Sequence, residues 1–152
     1  MGAAFFYHLT RTPLESTLSM LLGKSLAAGW RVAVRGCDAD RMVWLDQQLW
    51  LGANDSFVPH GLAGGPHDAA QPVLLTTAKD AANAASCLML VDGADVTADE
   101  VQALERVCIL FDGNSTVSLD LARGQWKALT DAGCAAQYWS QDSGRWEKKA
   151  EK

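Results

Sequence analysis

Several groupings in this 152-residue chain have side chains able to do chemistry, and their spacing decides what each can do. Gly23-Lys24-Ser25 has the ending of a phosphate-binding loop, but the full loop needs a glycine where this chain has Leu18. Leu14, Leu18, Leu21, Leu22 and Leu26 recur around it at helical spacing. Amides already bonded inside a helix cannot cradle a phosphate. No Gly-x-Gly-x-x-Gly follows the first apolar run, so a dinucleotide site lacks its fingerprint. His8, His60 and His67 show no metal-ligand spacing and have no adjacent cysteine. Cys37, Cys87, Cys108 and Cys134 form no Cys-x-x-Cys pair and are expected to be buried, reduced thiols. No Gly-x-Ser-x-Gly elbow presents a nucleophile. The expectation is therefore no catalytic site, no metal and no cofactor, with His60 bonded to backbone in its loop.

Two other groupings suit binding. In the run ARGQWKAL, Arg123 lies three residues before Trp126 and four before Lys127. On a helix that spacing brings all three to one face. Two cations beside an indole can take a carboxylate and an apolar side chain together, which suits a peptide end both acidic and aromatic. The alternative places Trp126 in the core, with Arg123 and Lys127 as its solvated fringe. The second grouping is LWLGANDSFVPHGLAG, Leu49 to Gly64, in which Trp50 ends a helix and Phe57, Val58 and Pro59 follow in a glycine-rich loop. Large apolar residues in such a loop either pin it to the core or await a partner.

The elements that must position these residues alternate. Ala3–Leu9 reads as a buried strand, and a helix follows from Pro13, with Thr12 as its N-cap and Gly29 as its stop. Residues 30–35 read as a strand. The next helix is capped by Asp38 or Asp40 and has Met42, Val43, Leu45, Leu49 and Trp50 as its apolar face. Residues 51–71 form a long irregular connection. Strands are predicted over 72–76, 87–91, 107–111 and 135–139. A helix over 97–104 opens with the capping box Thr97-x-x-Glu100, and another runs from Ser115 or Thr116 to Ala132 before Gly133. Strand–helix–strand units with short links imply parallel pairing. The predicted fold is a three-layer α/β/α domain around a largely parallel, mixed sheet, spanning residues 1–140, with a polar, basic tail over 141–152.

Composition narrows the function class. With 49% hydrophobic and 20% charged residues the chain has ordinary globular usage. A formal net charge of −5 argues against direct, non-specific nucleic-acid binding, which needs clustered cations on phosphates. Yet Arg123, Lys127, Arg145, Lys148, Lys149 and Lys152 are six of the 13 basic residues, so a local basic patch can exist in an acidic protein. No apolar run is long enough to span a bilayer, and the start reads as a strand rather than a signal peptide, so no membrane partner and a cytoplasmic location are expected.

The strand-like start, LW with SFVPH-x-LAG, a Pro72-Val73 strand, AR-x-x-WK and the closing AGCAAQYWSQDSGRWEKK occur in that order over nearly the whole chain. Together they resemble the chi subunit family of bacterial DNA polymerase III. The resemblance implies a non-catalytic accessory subunit of the clamp-loader assembly. It further implies two partners, the psi subunit and the acidic, phenylalanine-terminated C-terminal tail of single-stranded DNA-binding protein. Carried over by position, Arg123, Trp126 and Lys127 would belong to the pocket for that tail. Trp50, Phe57, Val58, Pro59 and His60 would form the psi-facing surface. The alternative is an α/β enzyme that binds a nucleotide or small ligand at the carboxyl ends of its strands.

Overall fold

The computed structural model describes residues 2–51, 60–79, 83–141 and 145–152. Eight strands are described: β1 Ala3–Leu9, β2 Val32–Arg35, β3 Gly61–Leu62, β4 Val73–Thr76, β5 Cys87–Leu90, β6 Arg106–Asp112, β7 Ala135–Ser140 and β8 Glu147–Glu151. The helices are α1 Leu14–Ala27, α2 Ala39–Leu51, α3 Ala98–Ala103 and α4 Thr116–Asp131. The strands join one sheet in the order β3-β4-β2-β5-β6-β1-β7-β8. All neighbours are parallel except β7 and β8.

The sheet has a core on each face, and strand alternation assigns every side chain to one of them. Tyr7, Val32, Val34, Met89 and Leu110 pack with Leu18 and Leu22 of α1 and with Met42, Leu45 and Leu49 of α2. Phe6, Ala33, Leu88, Leu90 and Ile109 pack with Val101 of α3 and with Ala122 and Leu129 of α4. This is the three-layer arrangement expected from the alternating elements. The crossovers from β1 and β2 step toward the β3 edge, whereas those from β5 and β6 step toward the β8 edge. Crossovers of one hand running in opposite directions cover opposite faces.

Local chemistry follows the predicted caps in three places. Thr97 and Glu100 form the reciprocal capping box of α3. Ser115 caps α4 by accepting from the Ser118 amide at 3.3 Å. Asp38, rather than Asp40, precedes α2 and accepts from the Asp40 amide at 3.1 Å. Helix α1 departs from expectation, because its N-cap is Pro13 without a side-chain cap. The Thr12 hydroxyl is engaged instead by Thr17 at 2.8 Å and by Gln141 at 3.2 Å.

Three further corrections have simple causes. Val43 and Trp50 are exposed rather than part of the buried face of α2. Met42, Leu45 and Leu49 already fill the stripe facing the sheet, and their chain neighbours point about 100° away. The segment read as a polar tail contains β8, which pairs antiparallel with β7 and puts a charged strand on the sheet edge. Cys37 is exposed, while Cys87, Cys108 and Cys134 are buried.

One ion pair ties the sheet to a helix across the α3–α4 face. The Arg35 guanidinium of β2, with a side chain only 6% exposed, meets Glu100 of α3 at 2.7 Å and also donates to the Asp95 carbonyl at 2.9 Å. Its hydrogen bond holds the Glu100 carboxyl below the ordinary value of 4.5, against the opposing effect of burial. A carboxyl depressed in the folded state stabilises the fold above its unfolded value, and that contribution fades as pH falls through the folded one. Glu100→Gln should cost about 1.5–3 kcal/mol at neutral pH. In urea titrations the gap from the parent protein should narrow below about pH 4.5; a gap independent of pH would contradict this.

Candidate partner-binding surfaces

Helix α4 presents the first candidate surface. Its buried Ala122 and Leu129 face the sheet, and Trp126 lies one turn from each. The Trp126 ring is half-buried, meeting Phe6 edge-on at 5.3 Å and Tyr138 at 6.0 Å. Tyr138 is itself fixed by a 2.8 Å hydrogen bond between its hydroxyl and Nδ1 of His8. The His8 ring rests 5.3 Å from Phe111. The indole is therefore held in place and only partly covered. This outcome lies between the two sequence readings: Trp126 is neither sealed in the core nor free.

Arg123 and Lys127 are 72% and 79% exposed at their side chains. Each leans on a carboxylate of its own helix, Arg123 on Asp120 at 3.7 Å and Lys127 on Asp131 at 3.0 Å. Exposed pairs of this kind hold their members weakly, so both cations stay available to a stronger anion. Phe6, His8 and Tyr138 support the surface and were not singled out from the sequence. Period-two spacing on β1 and β7 was the signal that puts Phe6 with His8, and Ala136 with Tyr138, on one face. Asp120 and Asp131 were legible too, at three and four residues from the two cations.

The second candidate surface is on α2. Trp50 is 57% exposed and the neighbouring Leu51 is 78% exposed. His60 lies under Trp50, at 4.9 Å between ring centroids, rather than on the outside. Its Nε2 sits 3.1 Å from the Asp46 carbonyl oxygen and 3.2 Å from the Asp46 carboxylate. The expected backbone contact is thus present, with a carboxylate beside it. Phe57, Val58 and Pro59 lie outside the described residues.

Residues 1–137 match the family described as DNA polymerase III chi subunit, HolC. The chain belongs to that family. Its members are accessory subunits of the polymerase, which gives the chain a part in DNA replication. It is also similar to the probable DNA polymerase III subunit chi of Rickettsia prowazekii (strain Madrid E). The two are 22% identical over 111 residues, covering 70% of this chain and 67% of that protein. The family match includes Trp50, His60, Arg123, Trp126 and Lys127 and ends within β7.

The position where an enzyme of this architecture would bind a ligand has a different content in this chi-family chain. The connections leaving β1 and β6 go to opposite faces of the sheet, and a crevice of about 500 Å³ opens at the carboxyl ends of those strands, lined by Thr10–Thr12, Asp112, Asn114 and Ser115. The amides of Thr10, Arg11 and Thr12 converge as an anion would require, but the Gln141 side-chain oxygen accepts from them at 3.2, 3.1 and 3.2 Å. Arg11 returns a bond from Nε to the Gln141 carbonyl at 3.2 Å. The other crevice arginine, Arg41, is joined to Asp92 at 3.0 Å. An internal amide thus occupies the donors that a phosphate would need. Among the described residues no group of three or more His, Cys, Asp or Glu could hold a metal ion. No described helix is long and apolar enough to cross a membrane. The Gly23-Lys24-Ser25 segment lies within α1, where the Ser25 hydroxyl donates to the Leu21 carbonyl at 2.9 Å.

Gln141→Ala removes one acceptor shared by three amides and should destabilise the fold by about 1–3 kcal/mol, measured by urea denaturation. Nucleoside triphosphates should leave the melting temperature of the parent protein unchanged; a rise of several degrees would show that Gln141 yields its place to a phosphate.

Proposed function

We propose that the chain tethers the clamp-loader part of the replicative polymerase to single-stranded DNA-binding protein in the cytoplasm, without catalytic activity of its own. Arg123, Trp126 and Lys127 take the acidic, aromatic end of that protein's C-terminal tail. The surface around Trp50, with Phe57, Val58, Pro59 and the underlying His60, takes the psi subunit. The observation that carries this reading is the pair of highly exposed cations flanking a half-buried, immobilised indole on α4. A flat apolar side chain packs on the uncovered part of Trp126 while carboxylates displace Asp120 and Asp131 from the cations. Because those local carboxylates compete and the site is open to solvent, capture is weak and sensitive to salt. Exposed Trp50 and Leu51 are the kind of apolar surface that a protein partner covers.

Titration with a peptide ending in acidic residues and phenylalanine tests the tail site. Arg123→Ala should weaken binding about tenfold, equivalent to losing one charge-assisted contact. Asp131→Asn, which frees Lys127, should tighten it. Equal affinities for all three proteins would reject the assignment.

A further inference from the structure

A second aromatic cavity opens on the opposite face of the sheet from α4. Its volume is about 530 Å³, within the range of small-ligand sites, and Tyr7, Trp30, Trp139 and Trp146 supply its aromatic lining. Lys24 and Arg106 are the charged residues that line it, and no aspartate or glutamate does. The Arg106 guanidinium lies over two rings, 4.2 Å from the Phe5 centroid and 5.1 Å from that of Trp30. Among the described residues neither Arg106 nor Lys24 has an ion-pair partner. Arg35, Arg41, Arg123 and Lys127, by contrast, all have carboxylate partners.

We infer that this cavity is a binding site for a small aromatic carboxylate, its ring among the tryptophans and its carboxylate on Arg106 and Lys24. Among the described residues the Arg106 guanidinium has no hydrogen-bond partner, and its planar fork suits a two-oxygen anion. The anion's charge is limited by α1. Lys24, Ser25 and Ala28 come from its carboxyl end, where the helix dipole is negative and no free amides point outward. A phosphate dianion would meet that pole without the amides it needs, whereas a carboxylate needs only the two side-chain donors. Apolar walls then favour a ring over a purely polar acid. The inference is independent of the tail site, since it involves neither α4 nor Arg123.

N-acetyl-phenylalanine, its uncharged amide and adenosine monophosphate can be titrated against the full chain, following tryptophan fluorescence and heat. The acid should bind saturably, and both the amide and the phosphate at least about tenfold more weakly. Arg106→Gln and Lys24→Gln should each lower affinity for the acid to a similar degree, while Lys149→Gln, which lies outside both the cavity lining and α4, leaves it unchanged. Lys24 is exposed on α1, so its variant remains informative if replacing the stacked Arg106 disturbs folding. Absence of binding, equal affinity for acid and amide, tighter binding of the phosphate, or unaltered affinity in Lys24→Gln would each overturn the proposal. Loss of binding in Arg123→Ala alone would place the ligand on α4 instead.

Discussion

A parallel sheet whose strands are apolar on both sides has to be covered on both sides, and most of this architecture follows from that need. In β6, Val107, Ile109 and Phe111 enter one core while Cys108 and Leu110 enter the other. Neither set can face water without exposing large apolar area, worth about 25 cal/mol for each Å². Crossovers of a single hand cover only the face toward which they wind. The chain therefore reverses its direction of travel across the sheet, placing α1 and α2 on one side and α3 and α4 on the other. The Arg35–Glu100 pair reinforces the second layer by joining β2 to α3.

That reversal creates two places of functional interest and separates their chemistry. Beyond the carboxyl ends of β1 and β6 the crevice is filled from within. The Gln141 side chain satisfies three amides that would otherwise be left without acceptors, and Arg11 and Arg41 are committed to internal partners. A polar crevice of this kind contributes to stability by being closed. On the outer side of α4 the opposite balance holds. Among the described residues Arg123 and Lys127 pair with exposed carboxylates on the same helix, and Trp126 is anchored by Phe6 and Tyr138. Rigid apolar surface beside loosely held charge is suited to exchange with a partner. An overall net charge of −5 does not oppose this, because screening confines the influence of each charge to about a Debye length.

Much of the fold was legible in the order of the residues. The apolar run of β1, the leucine repeat of α1, the Thr97–Glu100 box and the Ser115 cap are local signals, and their elements form close to the expected positions. The family resemblance was equally a property of sequence order, and the match over residues 1–137 agrees with it. Strand β8 was hidden because Glu147-Lys148-Lys149-Ala150-Glu151 has no apolar face; it forms by pairing with an edge already present. Strand β3 is only two residues long and has the same dependence on β4. The role of Thr12 was misread because its hydroxyl is diverted to Gln141, a residue 129 positions away.

The amino-acid sequence by itself determined the element types, the two-sided burial of the sheet and the helical spacing of Arg123, Trp126 and Lys127, since periodicity and capping act between near neighbours. Tertiary structure alone decided how much of the Trp126 ring reaches solvent, which crevice is filled by Gln141, and which cations find no carboxylate. Those outcomes depend on distances between segments far apart in the chain, such as β1 with β7 or α1 with β6. Spacing along one helix or strand holds no information about what another element will place opposite it.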